Sequence, residues 1–197
     1  MVNAFHRVPP HLVLPDFLPP EKVPELVNYM CAHQAEFRDG RTYTTGVNKE
    51  KRISLELLKL GPYRTLFQER ILALEEEIFS RLGVPRILLR FEMRFVASGD
   101  GAFFKPHVDT NVGIDLEEPR TVNIVYYFHR RPTAFEGGAL RLHALDMQSR
   151  VDIPPDWNSA VAFPAWAIHE VMPVRSPSGD FGTGRFAMVC CLRRRMT

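Results

Sequence analysis

Three cysteines in 197 residues, Cys31, Cys190 and Cys191, are too few and too awkwardly placed to pin a chain together. Their number is odd and two are neighbours, so no disulfide framework is implied, which favours a reducing compartment. Long hydrophobic runs are missing as well: no stretch approaches the ~18 apolar residues of a membrane span. Prolines interrupt the first 21 residues, which lack the basic start and unbroken apolar core of a secretory signal. Charge of one sign is also wanting. Lys and Arg number 25 and Asp and Glu 23, and the formal net charge of +2 is too small to argue for nucleic acid. The basic run Arg193-Arg194-Arg195 reads as a solvated end. Repeats and low-complexity linkers are absent. The expectation is a cytoplasmic protein with no membrane or nucleic-acid partner, folded as one domain over residues 1–197. Its oligomeric state is open.

What is present is an ordinary globular composition, 45% hydrophobic and 24% charged. A chain of this length buries roughly two-thirds of its unfolded surface and needs no staples. A short strand over 11–14 precedes a Pro-rich turn and a helix over 20–36, with Val23, Leu26, Val27 and Met30 on one face. Residues 38–51 are polar and read as a loop or weak strands. The segment 61–83 predicts one long helix, opened by Pro62 and closed by Gly83, with Leu66, Phe67, Ile71, Leu74 and Ile78 as its buried stripe. From Val84 onward the texture changes to short β-rich runs bounded by Gly, Pro and Asp: ILLRFEMRFV, FFKPHVD, TVNIVYYF, ALRLHAL, SAVAFP, WAIHEVMPV and RFAMVCCL. Helices first and strands after predict an α+β, mainly β, chain. A helical support over 20–83 backs a β core over 84–192, which reads as a sandwich or barrel.

Within FFKPHVDT, His107 and Asp109 stand at i and i+2, so on a strand they share a face. That suits two ligands of one ion. By itself the pair is weak, because chance gives about 0.3 such pairs in a shuffled chain of this composition. A third candidate, His169, lies on an apolar strand with Ala167 and Val171 on its face. Two histidines and a carboxylate with open positions form the facial triad of non-haem Fe(II) oxygenases; a satisfied core histidine is the plainer alternative. Arg185 opens the next strand on the face of Ala187 and Val189, and an arginine pointing into a β core needs an anion. In RTVNIVYYF, alternation puts Thr121, Asn123, Val125 and Tyr127 on one face and Val122, Ile124, Tyr126 and Phe128 on the other. Three polar groups on one buried face suggest a lined cavity.

Taken together, RFVASGDGAFFKPHVD, RTVNIVYYF, FEGGALRL, IHEVMPV and GRFAMV, in that order over residues 91–192, resemble the 2-oxoglutarate and Fe(II)-dependent dioxygenases, in particular the prolyl-4-hydroxylase-like branch. LPDFLPPEKVPELV resembles the opening strand and helix of that family. The resemblance implies a double-stranded β-helix core, a jelly-roll or cupin-like sandwich. It implies that His107, Asp109 and His169 ligate Fe(II), that Arg185 pairs with the distal carboxylate of 2-oxoglutarate, and that Tyr127, with Asn123 on the same face, serves the cosubstrate. O2 would be the second cosubstrate, succinate and CO2 the co-products, and ascorbate an optional reductant. The reaction implied is hydroxylation of a C–H bond in a small-molecule or peptidyl amino-acid substrate, prolyl or related. Family halogenases carry a small residue in place of the carboxylate, so Asp109 argues for hydroxylation.

The pattern departs from the family in two places. RSPSGDFGT lengthens the spacing between His169 and Arg185, and Arg175 inside it competes for the anion; the G-R-F context favours Arg185. Phe95 stands where relatives often have a tyrosine. Arg94, Trp166 and the inserted segment 175–183 are candidate substrate contacts, and the loops 38–51 and 111–119 are expected to border the mouth. Two other readings remain open: a zinc hydrolase built on the same His/Asp/His set, and a catalytically silent β-sandwich binding module.

Overall fold

The structure, a computed structural model, describes residues 6–42, 45–85, 89–110 and 119–194. Strand β1 (Leu12–Leu14) leads into helix α1 (Lys22–Ala32), and three short strands follow, β2 (Arg38–Asp39), β3 (Arg52–Ile53) and β4 (Leu55–Leu57). Helices α2 (Tyr63–Ala73) and α3 (Glu75–Leu82) precede the long strands β5 (Leu89–Ser98), β6 (Phe103–His107) and β7 (Arg120–Phe128). The chain finishes with β8 (Glu136–Gly137), β9 (Leu140–His143), β10 (Arg150–Ile153), β11 (Ser159–Pro164), β12 (Ile168–Val171), β13 (Val174–Arg175) and β14 (Arg185–Arg194).

The larger sheet runs β1-β11-β7-β14-β5-β4-β2 and the smaller one β10-β9-β12-β6-β3. Their pairings are antiparallel. Strands consecutive in the chain alternate between the two sheets from β6 to β7 and from β11 to β12, which is how a double-stranded β-helix winds. Val125, Tyr127, Leu140, Leu142, Phe163 and Ala187 pack between the sheets. The opposite face of the larger sheet carries Ile124, Tyr126, Phe128, Phe186, Met188 and Leu192, which bury against Val23, Leu26, Met30, Phe67, Ile71 and Ile78 of the helices. Period-two alternation in β7 and β14 therefore sorts one set of side chains to the helices and the other to the sandwich interior.

The helical segment 61–83 is two helices rather than one. Leu74 leaves helical geometry at φ −106°, ψ 2°, and the acidic triplet Glu75, Glu76 and Glu77 starts α3, where negative charge suits a helix N-terminus. Phe67, Ile71 and Ile78 are fully buried, while Leu66 and Leu74 are partly so. Gly83 closes α3 in the left-handed region at φ 63°. The expected helix over 20–36 ends earlier, at Ala32, and a 3-10 turn covers Gln34–Glu36. Strands β3, β4 and β10 escape the sequence reading because they are two to four residues long and carry charges such as Arg52, Glu56 and Asp152.

Candidate metal centre

In β12, His169 lies directly opposite His107 of β6 in the antiparallel register. Their ring centroids are 4.1 Å apart. Beyond the end of β6, the amides of Asp109 and Thr110 donate to the Ala165 carbonyl at 3.0 and 3.2 Å, which ties this bend to the turn between β11 and β12. Asp109 Oδ2 then lies 3.5 Å from His169 Nε2. One donor atom from each of His107, Asp109 and His169 falls within 4.8 Å of the others.

Backbone carbonyls set both imidazoles. Nδ1 of His107 is 2.8 Å from the Lys105 carbonyl, and Nδ1 of His169 is 2.9 Å from the Ala167 carbonyl. A carbonyl only accepts, so each Nδ1 carries the hydrogen and each Nε2 offers a lone pair. Phe104 stacks on His107 at 3.6 Å between centroids, and Phe163 meets His169 edge-on at 4.9 Å. Burial, and then the neighbouring His169, press the His107 pKa down to about 3, so this ring is a neutral ligand at physiological pH. Burial alone would raise the Asp109 pKa; His169, His107, Arg94 and Arg120 together reverse that and hold it below the usual range. Asn123 Nδ2 donates to Asp109 Oδ2 at 2.7 Å, and an Arg120 Nη1 lies 3.5 Å from Oδ1. Arg120 in turn closes on Glu92, which also accepts from Arg193 Nε at 2.8 Å.

The three donors open onto a cavity of about 70 Å³, several times what one water needs. Arg185 stands elsewhere on its wall, 3% exposed, with its guanidinium 4.8 Å over the Tyr127 ring. By geometry, neither Arg185 Nε nor the Tyr127 hydroxyl has a hydrogen-bond partner among the described residues, although the two groups lie close enough to interact with each other. The Tyr127 hydroxyl feels the Arg185 charge, yet burial dominates and pushes its pKa up to about 12, so it remains a donor. Burial likewise lowers the Arg185 pKa. A neutral donor beside an uncompensated buried cation is a place for a carboxylate, and three lone-pair donors facing open space are a place for a divalent cation.

The sequence profile of the 2OG-Fe(II) oxygenase superfamily matches residues 93–193, just over half of the chain. The chain belongs to that superfamily. A PKHD-type hydroxylase of Synechocystis sp., itself uncharacterized, is 28% identical over 190 residues, covering 92% of this chain; the chain spans 62% of that relative's length. Among solved structures, a Pseudomonas putida prolyl-4-hydroxylase superposes with a TM-score of 0.69 at 23% identity, over 94% of this chain and 93% of that one. A prolyl hydroxylase from Trichoplax adhaerens, solved with a hypoxia inducible factor oxygen degradation domain peptide fragment, gives 0.69 at 18% identity, over 92% of this chain and 82% of that one. The double-stranded β-helix that the family resemblance implied is the fold found.

Within this fold, His107, Asp109, Asn123, Tyr127, His169 and Arg185 all face one cavity, and Arg94 lies where that cavity meets a wider groove. Arg175 does not: its side chain is 75% exposed and lies 3.9 Å from Glu136. Trp166 sits half-exposed on the turn before β12 and lines neither the cavity nor the groove. The segment 175–183 also turns away, for Phe181 packs on Phe37 and Phe186 on the helical side of the larger sheet. Phe95 is buried on that same side against Phe67 and Phe128, so it is not the cavity-facing counterpart of a tyrosine; Val96 and Ser98 face the cavity there. Arg41, Thr42, Gly46 and Lys51, from the loop 38–51, line the groove as expected. Residues 111–118 lie outside the described residues. Arg52, Glu92 and Arg120 are site residues that the sequence reading missed. Arg120 stood in plain view at the start of RTVNIVYYF, but nothing in its spacing disclosed the Glu92 partner.

Proposed function

We propose that this chain is an Fe(II)- and 2-oxoglutarate-dependent hydroxylase of a C–H bond in an amino-acid-type or prolyl substrate. The observation that carries the reading is the pairing of two unmet demands in one cavity: three convergent lone-pair donors, and a buried arginine Nε and tyrosine hydroxyl with no hydrogen-bond partner among the described residues. His107, Asp109 and His169 would hold the metal; Arg185 and Tyr127 would hold the distal carboxylate of 2-oxoglutarate. A hydrolytic zinc site would leave Arg185 and Tyr127 with no anion. Names of similar proteins support the prolyl or related chemistry. Three free cysteines support a reducing, cytoplasmic setting, and no helix among the described residues is long and apolar enough to cross a membrane. The whole chain would act as one domain, residues 20–83 backing the strands of 84–192.

When bound, Fe(II) and 2-oxoglutarate supply O2 activation coupled to decarboxylation, giving succinate and CO2 with the hydroxylated product. This chain's residues do the rest. The Lys105 and Ala167 carbonyls fix both imidazoles before any ligand arrives, which limits the reorganisation needed on binding. Asn123 and Arg120 hold the Asp109 carboxylate in place. Arg185 and the Tyr127 O–H orient the cosubstrate from its far end. Val125, Leu140, Phe163 and Val189 line the same cavity with hydrocarbon and exclude water from its walls.

Succinate formation tests the reading. Protein supplied with Fe(II), 2-oxoglutarate and O2 is expected to release succinate at a slow basal rate that a true substrate accelerates. Failure to bind 2-oxoglutarate in the presence of a divalent metal would remove it.

A further inference from the structure

Three arginines stand beside the candidate metal ligands, and their bonding differs. Arg52 is satisfied: Nε donates to Ser54 Oγ at 2.7 Å, Nη1 to the Arg41 carbonyl at 2.7 Å, and Nη2 lies 3.3 Å from Glu56. Arg120 closes on Glu92 through two nitrogens and reaches Asp109. Arg94 has far less. Its side chain is 15% exposed, its Nε makes no hydrogen bond, and its one hydrogen bond to Glu92 is long at 3.4 Å. Glu56, 3.7 Å from Nε, is already paired with Arg52, and Glu92 is already taken by Arg120 and Arg193. Asp109 and Glu56 lie near enough to offset the burial of this guanidinium through space, yet neither gives its Nε a hydrogen bond, so a carboxylate arriving within reach would find an unused donor.

Its position says where that anion would come from. Arg94 lies opposite Val189 in register, whereas Arg185 lies opposite Ser98, four residues further along β5. At about 3.3 Å per residue, the two arginines sit ~13 Å apart on one sheet face. Arg185 lines only the inner cavity, while Arg94 borders both that cavity and the wider groove outside it. Exposed Arg41, Lys51 and Lys105 stand around the same groove. One anion site is thus internal and the other meets whatever arrives from solvent.

We propose that the substrate carries a carboxylate and that Arg94 seats it at the groove end of the cavity, which rests on the hydroxylase reading above. The carboxylate belongs either to a free amino acid or to an acidic side chain of a peptide, and two arms of one experiment separate these. Protein loaded anaerobically with Mn(II) and 2-oxoglutarate is titrated calorimetrically with free L-amino acids and their C-terminal amides. The second arm uses N-acetylated, C-amidated Asp and Glu against Asn and Gln. In one arm, at least one acid should bind about tenfold or more tightly than its neutral partner, the scale of a lost charge-assisted contact. Arg94→Gln should erase that difference, and Arg94→Lys should retain part of it. The proposal is overturned if no acid outbinds its neutral partner, a result read on the unaltered protein even if the variants fail to fold. It is equally overturned if the preference survives Arg94→Gln. Unaltered protein that takes up no Mn(II) and 2-oxoglutarate would sink the hydroxylase reading itself, and this proposal with it.

Discussion

At Arg185 a full charge lies 3% exposed, with the face of Tyr127 as its nearest compensation. Such burial is costly unless an anion is part of the working state. Replacing Arg185 with Ala is therefore expected to raise the 2-oxoglutarate KM by about 10- to 100-fold, the size of a charge-assisted hydrogen bond lost, with a smaller fall in kcat. Steady-state kinetics with 2-oxoglutarate varied would check this, and an unchanged KM would remove the assignment. The candidate ligands were legible at this scale because His107 and Asp109 stand at i and i+2 and His169 lies in an apolar run, although Asp109 sits on the bend just beyond β6 rather than on the strand itself. Asn123 was legible only in part. Alternation placed it on the cavity face, but the sequence reading gave it to the cosubstrate, whereas its amide donates to Asp109. That contact depends on how the chain bends after β6, and no local pattern encodes the bend.

Strands were easier to read than their edges. Alternation in β7 sorted Val122, Ile124, Tyr126 and Phe128 to the helices and Asn123, Val125 and Tyr127 to the cavity, as expected. The long helix failed as one element because nothing in LALEEE marks the interruption at Leu74; three glutamates suit a helix start as well as a helix middle. The F-x-G-G-x-L motif acquires a physical reason here. Gly138 adopts φ +68°, and a Cβ there would come within 2.6 Å of Arg185 Cδ and 2.9 Å of Val174 Cγ2. Gly138→Ala is thus expected to push Arg185 out of position and to add strain of about 1–3 kcal/mol. A rise in the 2-oxoglutarate KM together with a lowered Tm would show both effects. Unaltered kinetics would mean that Arg185 tolerates the displacement.

Over the whole molecule, stability and function draw on opposite faces of the larger sheet. The helical side holds the aromatic cluster of Phe67, Phe95, Tyr126 and Phe128, and the sandwich side holds the cavity with the candidate ligands. His129, 5% exposed, lies at the end of β7. Burial, helped by Arg131, lowers its pKa below 6.5 despite the backbone carbonyls of Arg130 and Pro155. The unfolded chain therefore takes up this proton first. Its contribution to stability is whole above 6.5 and shrinks as pH falls toward the lower folded value. Melting curves of the metal-free protein from about pH 7.5 to about pH 5 should fall less steeply for His129→Gln than for the unaltered chain. Parallel slopes would contradict the assignment. The most direct test of the account is calorimetric binding of 2-oxoglutarate under anaerobic conditions, with and without Fe(II), in the unaltered chain and in His169→Ala. Binding should require the metal and should vanish when His169 is lost. Tight 2-oxoglutarate binding that is indifferent to both metal and His169 would contradict a metal centre built by His107, Asp109 and His169.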